Sequence, residues 1–425
     1  MLALIGAEPL VVGYYDLSKQ DEAADVDFSK YTHVNLAFAA PGKDGSIAFG
    51  QGISVGDAAT KVKAKGAKVL VSVGGWGGSR WLSPVMANEA SRTALVSSIV
   101  DTIDTNKLDG VDILWEYPGR AGSSCYAFDA NNDTPNYLTF LQSLREQLNL
   151  KFSSDKKLIT VGVPVEPFNL KSGPSTDVSG FAKAVDYAHL MPFGNNGGWQ
   201  NTTAPNAPFN FEANKGAPYS FVSAIDAWTT AGWPADQLTG GISFSGRSAV
   251  TVMSMADEPT NQYQKQFSKP SQGDPEDDYW KDPCTGDMSV SGQWQYKYLR
   301  SLGKLSTPTT AASTIVRQWD DISKTPWLFN STDNTFYSYD DPQSIKVKVD
   351  YAASKGMAGT MVWLLHMDYQ NELLGAINGN SSTSSTSSTN IISSTNSTKP
   401  AKACTKRKGN HRRSQRHSRN RHRDL

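Results

Sequence analysis

The stretch "LDGVDILWEYPG", from Leu108 to Gly119, joins a short apolar run to a row of acids. A nearly continuous apolar run is typical of a strand buried on both faces, as in a parallel sheet. Asp109, Asp112 and Glu116 accompany the run, and Leu114 stands between the last two acids. Buried acids are costly unless they are hydrogen-bonded or protonated. The stretch therefore indicates a functional site at the end of a buried strand.

Seven further apolar runs punctuate the first 370 residues: "VVGYY", "HVNLAFA", "KVLVSVGG", "LITVGVPV", "YAHLMPF", "LTGGISF" and "GTMVWLL". Between them lie stretches with helical spacing, such as "EASRTALVSSIVDTIDTNK". Another, "TPNYLTFLQSLREQL", places Thr134 as a predicted N-cap and Pro135 in the first turn. Eight alternations of strand and helix predict an α/β fold, a (β/α)8 TIM barrel.

The chain divides into four predicted parts. The barrel covers residues 8–377, and the long connection at about 249–340, between the seventh and eighth runs, predicts an inserted α+β lobe. Residues 378–398 form a Ser/Thr-rich linker of low complexity, and residues 399–425 form a basic tail that we expect to be disordered.

Composition places the 425 residues among globular proteins, with 38% hydrophobic and 19% charged residues. The net charge of zero hides a split, because the tail holds 11 Lys or Arg against one acid. The rest of the chain carries 30 basic and 40 acidic side chains, so an acidic body bears a basic tail. The 11 Trp suit both core packing and stacking on sugar rings.

Three cysteines, Cys125, Cys284 and Cys404, fix no disulfide framework, and both a Cys125–Cys284 bridge and free thiols stay open. The apolar start, Leu2 to Ala7, is shorter than the roughly 7–15 residues of a signal-peptide core. No stretch is long enough to span a membrane. We nevertheless expect an extracellular or cell-wall location, because five glycosylation sequons suit a secreted chain: Asn132, Asn201, Asn330, Asn380 and Asn396. We also expect the protein to be a monomer.

The acids of the stretch at residues 108–119 predict a catalytic site at the C-terminal end of the barrel. Side chains alternate along a strand, so Asp112, Leu114 and Glu116 share one face. We expect Asp109 and Asp112 to lie deeper and Glu116 to reach the C-terminal end of the strand, where TIM barrels carry their sites. No His/Cys cluster has metal-ligand spacing and no glycine loop is suited to phosphate, so we predict no metal and no cofactor.

"DGVDILWEYPG" resembles the D-G-x-D-x-D-W-E-Y-P signature of glycoside hydrolase family 18, the fungal chitinases and chitinase-like proteins among them. "SVGGW", "DYAHLMPFGNNGGW", "GISFSGRS" and "GTMVW" resemble the family's third-, sixth-, seventh- and eighth-strand segments in order. The resemblance covers roughly residues 8–377. It implies a TIM barrel that binds chitin or N-acetylglucosamine oligosaccharides. The implied sugar contacts are Trp363, as the floor beneath the sugar, Tyr117, Met191, Trp76, Tyr14, Phe38 and Arg247.

The resemblance also implies a mechanism. Glu116 is the general acid that protonates the leaving glycosidic oxygen, with Asp112 and Asp109 as supporting carboxylates. The substrate's own N-acetyl carbonyl, rather than a second enzyme carboxylate, attacks the sugar. Such an enzyme needs side chains that orient the acetamido group.

This chain departs from the family pattern where that group is held. Leu114 replaces the orienting Asp and Phe193 replaces a Tyr, whereas Glu116 and Trp363 are kept. The remaining degenerate positions are Gly194, Ser245 and His366. We therefore expect a chitin-binding protein with impaired β-1,4 hydrolysis. The alternatives are an inactive lectin and, through the tail, a polyanion-binding protein without specific nucleic-acid recognition.

Overall fold

The computed structural model describes residues 8–379 except Ser124 and Pro283. The predicted basic tail, and the predicted linker apart from residues 378 and 379, lie outside the described residues. No helix within that described part is long and apolar enough to cross a membrane.

Eight parallel strands form a closed barrel, as predicted from the apolar runs. Each strand pairs with the next along the chain, and the last pairs with the first, with Leu10 opposite Gly359. The strands are β1 (Leu10–Asp16), β2 (His33–Pro41), β3 (Lys68–Gly74), β4 (Gly110–Leu114), β5 (Leu158–Val163), β6 (Tyr187–Leu190), β7 (Leu238–Ser243) and β8 (Gly359–Trp363).

The strands read as continuous apolar runs because both of their faces are covered. All five residues of β4 are buried. Its inward side chains meet those of the neighbouring strands in layers, since Ser72 of β3, Asp112 of β4 and Thr160 of β5 stand in one register. The inside of the barrel is therefore a packed core with a polar layer, which closes the cleft from below.

Helices cover the outside of the barrel. The principal ones are α1 (Val55–Lys63), α2 (Glu89–Thr105), α3 (Asp133–Lys151), α4 (Ser179–Ala184), α5 (Phe221–Thr230), α6 (Pro342–Ser354) and α7 (Glu372–Ile377). Shorter helical segments are Gly75–Gly78, Leu82–Ala87 and Tyr296–Ser301, and 3-10 turns cover Leu17–Ala23, Phe28–Lys30, Ser79–Trp81, Ala235–Gln237, Met255–Asp257 and Leu365–Met367.

Two helix starts illustrate the capping chemistry, and one of them corrects a predicted N-cap. Asp341 caps α6 ahead of Pro342, whose fixed φ suits the first helical position. The predicted N-cap Thr134 is wrong, because α3 begins at Asp133 and Asn132 holds the cap position. The Thr134 hydroxyl instead donates to the carbonyl of Asn169, which ties α3 to the connection that follows β5.

The connection between β7 and β8 forms a lobe around a five-stranded sheet with antiparallel pairing. Its strands, in spatial order, are Gln293–Gln295, Ser245–Val250, Thr335–Ser338, Thr325–Asn330 and Ile315–Asp320. The sheet thus begins at Ser245, slightly ahead of the predicted start. Two-residue strands or short hairpins occur at Ile47–Ala48, Asn169–Leu170, Gly173–Pro174, Trp280–Lys281, Met288–Ser289, Leu305–Thr307 and Thr310–Ala311.

A disulfide joins the lobe to the connection between β4 and α3. Cys125 follows β4 and Cys284 belongs to the lobe, 159 residues further along the chain. Next to the bridge, the Tyr126 hydroxyl donates to the carbonyl of Gly77 after β3. Of the two alternatives left open by the sequence, the bridge is therefore the one that the structure contains.

Candidate active site

A cleft of about 790 Å³ opens at the C-terminal ends of the strands, between the barrel and the lobe. Most of the residues singled out from the sequence line it. They are Glu116, Tyr117, Trp363, Met191, Trp76, Phe38 and Arg247, together with the degenerate positions Phe193, Gly194 and Ser245.

The floor of the cleft is aromatic. Trp363, half-buried at the end of β8, has its ring centroid 5.1 Å from that of Tyr14, 5.9 Å from Phe38 and 6.2 Å from Phe193. At the rim, Trp76 is 50% exposed. Flat aromatic faces of this kind can stack on the apolar faces of sugar rings.

Glu116 lies just beyond the end of β4, and its peptide N–H donates to the Ser79 hydroxyl at 2.9 Å. Burial raises the pKa of its carboxyl to about 7, against the opposing effects of a hydrogen bond with Tyr117 and the charge of Arg120. A carboxyl with such a pKa carries its proton in mildly acidic solution. Glu116 can therefore donate a proton or a hydrogen bond into the cleft.

Asp112 lies below the cleft and is fully buried. Its carboxylate accepts hydrogen bonds from the hydroxyls of Tyr14 at 2.9 Å, Ser72 at 2.6 Å and Thr160 at 2.7 Å. Burial raises the pKa of Asp112, and these three bonds act in the opposite direction. The carboxylate is thus satisfied within the barrel and does not line the cleft.

Leu114 separates the two acids. Its side chain is fully buried and packs toward Gly162 of β5, where an added Cβ would lie 2.3 Å from Leu114 Cδ1. An alkyl side chain offers neither a charge nor a hydrogen-bond acceptor. Among the described residues that line the cleft, Glu116 is consequently the only carboxylate.

Three further expected site residues, besides Asp112, lie outside the cleft lining. Asp109 precedes β4 and lies at the opposite end of the barrel, where its carboxylate accepts from the Val69 N–H at 2.7 Å and the Lys63 ammonium at 3.0 Å. Its expected role as a supporting carboxylate is corrected to fastening the start of the strand. His366 lines a separate cavity instead of the cleft. Tyr14 lies behind the floor, 1% exposed, and reaches Asp112 rather than the cleft surface.

Other cleft residues were not predicted from the sequence. Arg120 holds its guanidinium 4.1 Å from the centroid of the Tyr117 ring, and its Nε is buried without a described partner. Tyr219, which donates to Glu166 at 3.0 Å, and Gln293 of the lobe also line the cleft. Of these three, only Arg120 lies close in sequence to the acidic stretch at residues 108–119.

The sequence profile of Glycosyl hydrolases family 18 matches residues 10–368. The chain belongs to glycosyl hydrolase family 18. It is 33% identical to a chitinase-like effector from Moniliophthora roreri over 83% of this chain and 87% of that protein. A chitinase-like effector from Moniliophthora perniciosa is 30% identical, over 88% of this chain and 87% of that protein.

Solved structures of the family show the same fold. A chitinase from Rhizomucor miehei superposes with a TM-score of 0.80 at 32% identity, covering 87% of this chain and 99% of that one. The TIM barrel predicted from the apolar runs is therefore confirmed, and so is the family implied by the resemblance.

Proposed function

We propose that this protein binds chitin or N-acetylglucosamine oligosaccharides in the cleft and hydrolyses their β-1,4 bonds slowly or not at all. One observation carries the proposal: Glu116 is the only carboxylate among the described residues of a cleft floored by aromatic rings. The binding surface is kept, whereas the groups that would organise a reacting acetamido group are not.

The chemistry of bond cleavage supports impaired hydrolysis. A glycosidase that uses two carboxylates needs a second acid beside the sugar. Asp112 cannot serve as that acid, because its oxygens accept three hydroxyl hydrogen bonds inside the barrel. Substrate-assisted cleavage instead needs a partner for the acetamido N–H and the positive charge that develops. The corresponding positions are Leu114, Phe193 and Gly194, none of which has a polar side chain.

The relatives support a role other than simple digestion, since two of them carry the name chitinase-like effector. The Cys125–Cys284 bridge supports an extracellular or cell-wall location, because disulfides persist in oxidising compartments. Two sequon asparagines, Asn132 and Asn201, are exposed and accessible to glycosylation. We propose a monomer, because one chain supplies a complete cleft.

The test combines binding and turnover on one preparation. Calorimetry with an N-acetylglucosamine hexamer should show saturable binding, and product analysis after prolonged incubation should show little cleavage. Glu116→Gln separates the two roles: it removes any residual cleavage but retains an uncharged side chain that can still donate a hydrogen bond. Absence of hexamer binding would overturn the proposal, as would turnover at about 1 s⁻¹ or faster, within the range of ordinary enzymes.

A further inference from the structure

The charged side chains that line the cleft are unequal in sign. Among the described residues they are Glu116, Arg120 and Arg247, one carboxyl against two guanidinium groups. Because the pKa of Glu116 is about 7, its carboxyl is largely uncharged in mildly acidic solution. Both guanidinium groups stay charged under the same conditions. The lining therefore carries positive charge that a neutral oligosaccharide does not compensate.

Arg247 is held by groups of the lobe. Its Nη1 donates to the carbonyl of Ser291 at 2.9 Å, and its guanidinium lies 5.7 Å from the centroid of the Trp199 ring. Burial lowers the pKa of Arg247, and the charge of Asp277 acts in the opposite direction. Arg247 thus already has an acid of the protein in its surroundings.

Arg120 has no such partner in the part of the chain that the structure describes. Its guanidinium lies 4.1 Å from the centroid of the Tyr117 ring, and stacking on an aromatic face orients the plane of the group. Its Nε is enclosed by protein, so only the two Nη groups can meet a ligand. The buried ion pairs of described arginines involve Arg145, Arg300 and Arg317 instead.

Three acids lie near the cleft without lining it, and each is bound by other groups. The carboxylate of Asp112 accepts hydrogen bonds from three hydroxyls inside the barrel. That of Asp277 accepts from two backbone N–H groups, both at 2.8 Å. Glu166 accepts from the Tyr219 hydroxyl at 3.0 Å. None of the three forms an ion pair with Arg120 among the residues described, so the charge of Arg120 is available to a ligand in the cleft.

A carboxylate fits the two Nη groups of Arg120. Paired end-on, a guanidinium and a carboxylate form two parallel N–H···O bonds, and the fixed plane of the donor reduces the ordering that this requires. An N-acetylhexosamine chain lying on the aromatic floor can present a carboxylate in two ways. It can carry an oxidised end, an aldonic acid, or a lactyl group on a sugar within the chain.

We infer that Arg120 makes the cleft select N-acetylhexosamine oligosaccharides that carry a carboxylate over neutral ones, by pairing its two Nη groups with the carboxylate oxygens. The inference rests on the proposed function, since it requires that oligosaccharides bind in this cleft. It does not depend on whether they are cleaved.

The experiment uses the full chain and calorimetry at a pH above the carboxyl pKa of the sugar acids, roughly 4, and below that of Glu116, about 7. The two acids are an N-acetylglucosamine hexamer that ends in an aldonic acid and an alternating chain of N-acetylglucosamine and N-acetylmuramic acid. Each is paired with a neutral counterpart of nearly the same shape, the alditol for the first and the lactyl amide for the second. We expect at least one acid to bind about two- to fivefold more tightly than its counterpart, the scale of a solvent-accessible ion pair.

Arg120→Gln should remove this difference between acid and counterpart, and Arg120→Lys, which keeps the charge but loses the planar fork, should retain part of it. Arg80→Gln is the matched control, because Arg80 is exposed, lies 5.0 Å from the centroid of the Trp81 ring and does not line the cleft. It should leave the difference unchanged. The ratio of the two affinities is compared within each variant, so that a general effect of the substitution on the cleft cancels.

Should Arg120→Gln not fold, the parent still tests the inference, because the preference should shrink as salt screens an accessible ion pair. If neither the acids nor the neutral oligosaccharides bind, the proposed function is wrong and the inference falls with it. If the neutral oligosaccharides bind and neither acid binds more tightly, only the inference is overturned. A preference that persists in Arg120→Gln, or that does not change with salt, overturns it as well.

Discussion

Leu114 of β4 packs directly toward Gly162 of β5, so closely that a methyl group at position 162 would lie 2.3 Å from Leu114 Cδ1. The Tyr14 hydroxyl, which donates to Asp112, would lie 3.4 Å from the same methyl group. Because Gly162 has no side chain, it leaves the space that the Leu114 side chain occupies. Together the two residues place an apolar contact between the buried carboxylate of Asp112 and the acid Glu116.

Gly162→Ala should lower the free energy of unfolding by about 1–3 kcal/mol, because overpacking displaces core side chains. The loss should be smaller in a Leu114→Ala background, since the Leu114 Cδ1 methyl group, with which the new alanine side chain would clash, is then absent. Urea unfolding of the two single variants and the double variant measures this coupling. Gly77→Ala is the control, because no atom lies within 4 Å of its added Cβ. Strictly additive losses would contradict the contact.

Trp363→Ala should weaken binding of an N-acetylglucosamine hexamer by about 1–3 kcal/mol, the scale of one buried aromatic contact. Its ring lines the cleft floor among Tyr14, Phe38 and Phe193. Calorimetry measures the affinity, and circular dichroism verifies that the variant is folded. Trp280→Ala is the matched control, because Trp280 is an exposed lobe tryptophan outside the cleft lining. Equal affinity of a folded Trp363→Ala protein and the parent would remove Trp363 from the binding site.

Glu116 should make the protein less stable as the pH rises. Its pKa is about 7 in the folded chain and 4.5 as the unperturbed value. Between these values the unfolded chain releases the proton and the folded chain retains it, so stability falls with increasing pH. The stability that comes from keeping Glu116 protonated is fully present below pH 4.5 and is lost as the pH rises through about 7. At about 1.4 kcal/mol per pKa unit, the loss is about 2–4 kcal/mol.

Glu116→Gln cannot titrate and should not show this loss. The measurement is the free energy of unfolding of parent and variant across the same pH range, and the difference between them should grow in favour of the variant from pH 4.5 to about 7. Glu146→Gln, at an exposed position of α3, should run parallel to the parent. A constant difference between the Glu116→Gln variant and the parent would show that the Glu116 carboxyl is not held in its protonated form.

Much of this fold was predictable because each strand is a compact apolar run, and both faces of a barrel strand are buried. The candidate site was predictable where it is local: Trp363 ends β8, Glu116 lies two residues beyond the end of β4, and the cleft opens at these strand ends. Asp109 was misplaced although simple alternation argued against it. It is three residues from Asp112, so the two acids cannot share a face, and Asp109 precedes the first residue of β4.

The rest could not be predicted because it depends on how long connections return to the barrel. Gln293 reaches the cleft from the lobe, and Tyr219 from the connection that follows β6. His366 is three residues from Trp363, but the chain turns into a 3-10 segment at Leu365, which directs the histidine to a different cavity. No local pattern encodes these placements.

The basic tail, residues 399–425, lies outside the described residues, and its binding to polyanions stays a prediction. Its 11 Lys or Arg should give salt-sensitive retention on heparin that does not require the barrel. The full chain and a chain ending at residue 398 are compared by the salt concentration at which each elutes. Elution at the same salt concentration would exclude the tail as a polyanion-binding segment.

Hydrolysis of N-acetylglucosamine oligomers should rise only when two missing groups are restored together. Leu114→Asp places a carboxylate one layer above Asp112 and one below Glu116, roughly 7 Å from each along the strand. Burial beside two acids resists ionisation of the new group. A hydroxyl introduced by Phe193→Tyr, on the cleft wall near Trp363, would help to hold the acetamido group. We therefore expect little increase in the hydrolysis rate from either single substitution. The fold-increase from the pair should exceed the product of the two single fold-increases.

Two controls isolate the chemistry. Leu114→Asn combined with Phe193→Tyr has nearly the same shape as the active pair but lacks the carboxylate, so it should not gain activity. Adding Glu116→Gln to the pair should abolish the gain, because no acid would remain for the leaving oxygen. Initial rates on a chromogenic N-acetylglucosamine oligomer measure all variants and the parent. If the parent already turns over at about 1 s⁻¹ or faster, as ordinary enzymes do, then Leu114 does not impair catalysis. Another cleft residue, with Arg120 and Tyr219 the first to be substituted, would then have to stabilise the charge that develops on the substrate.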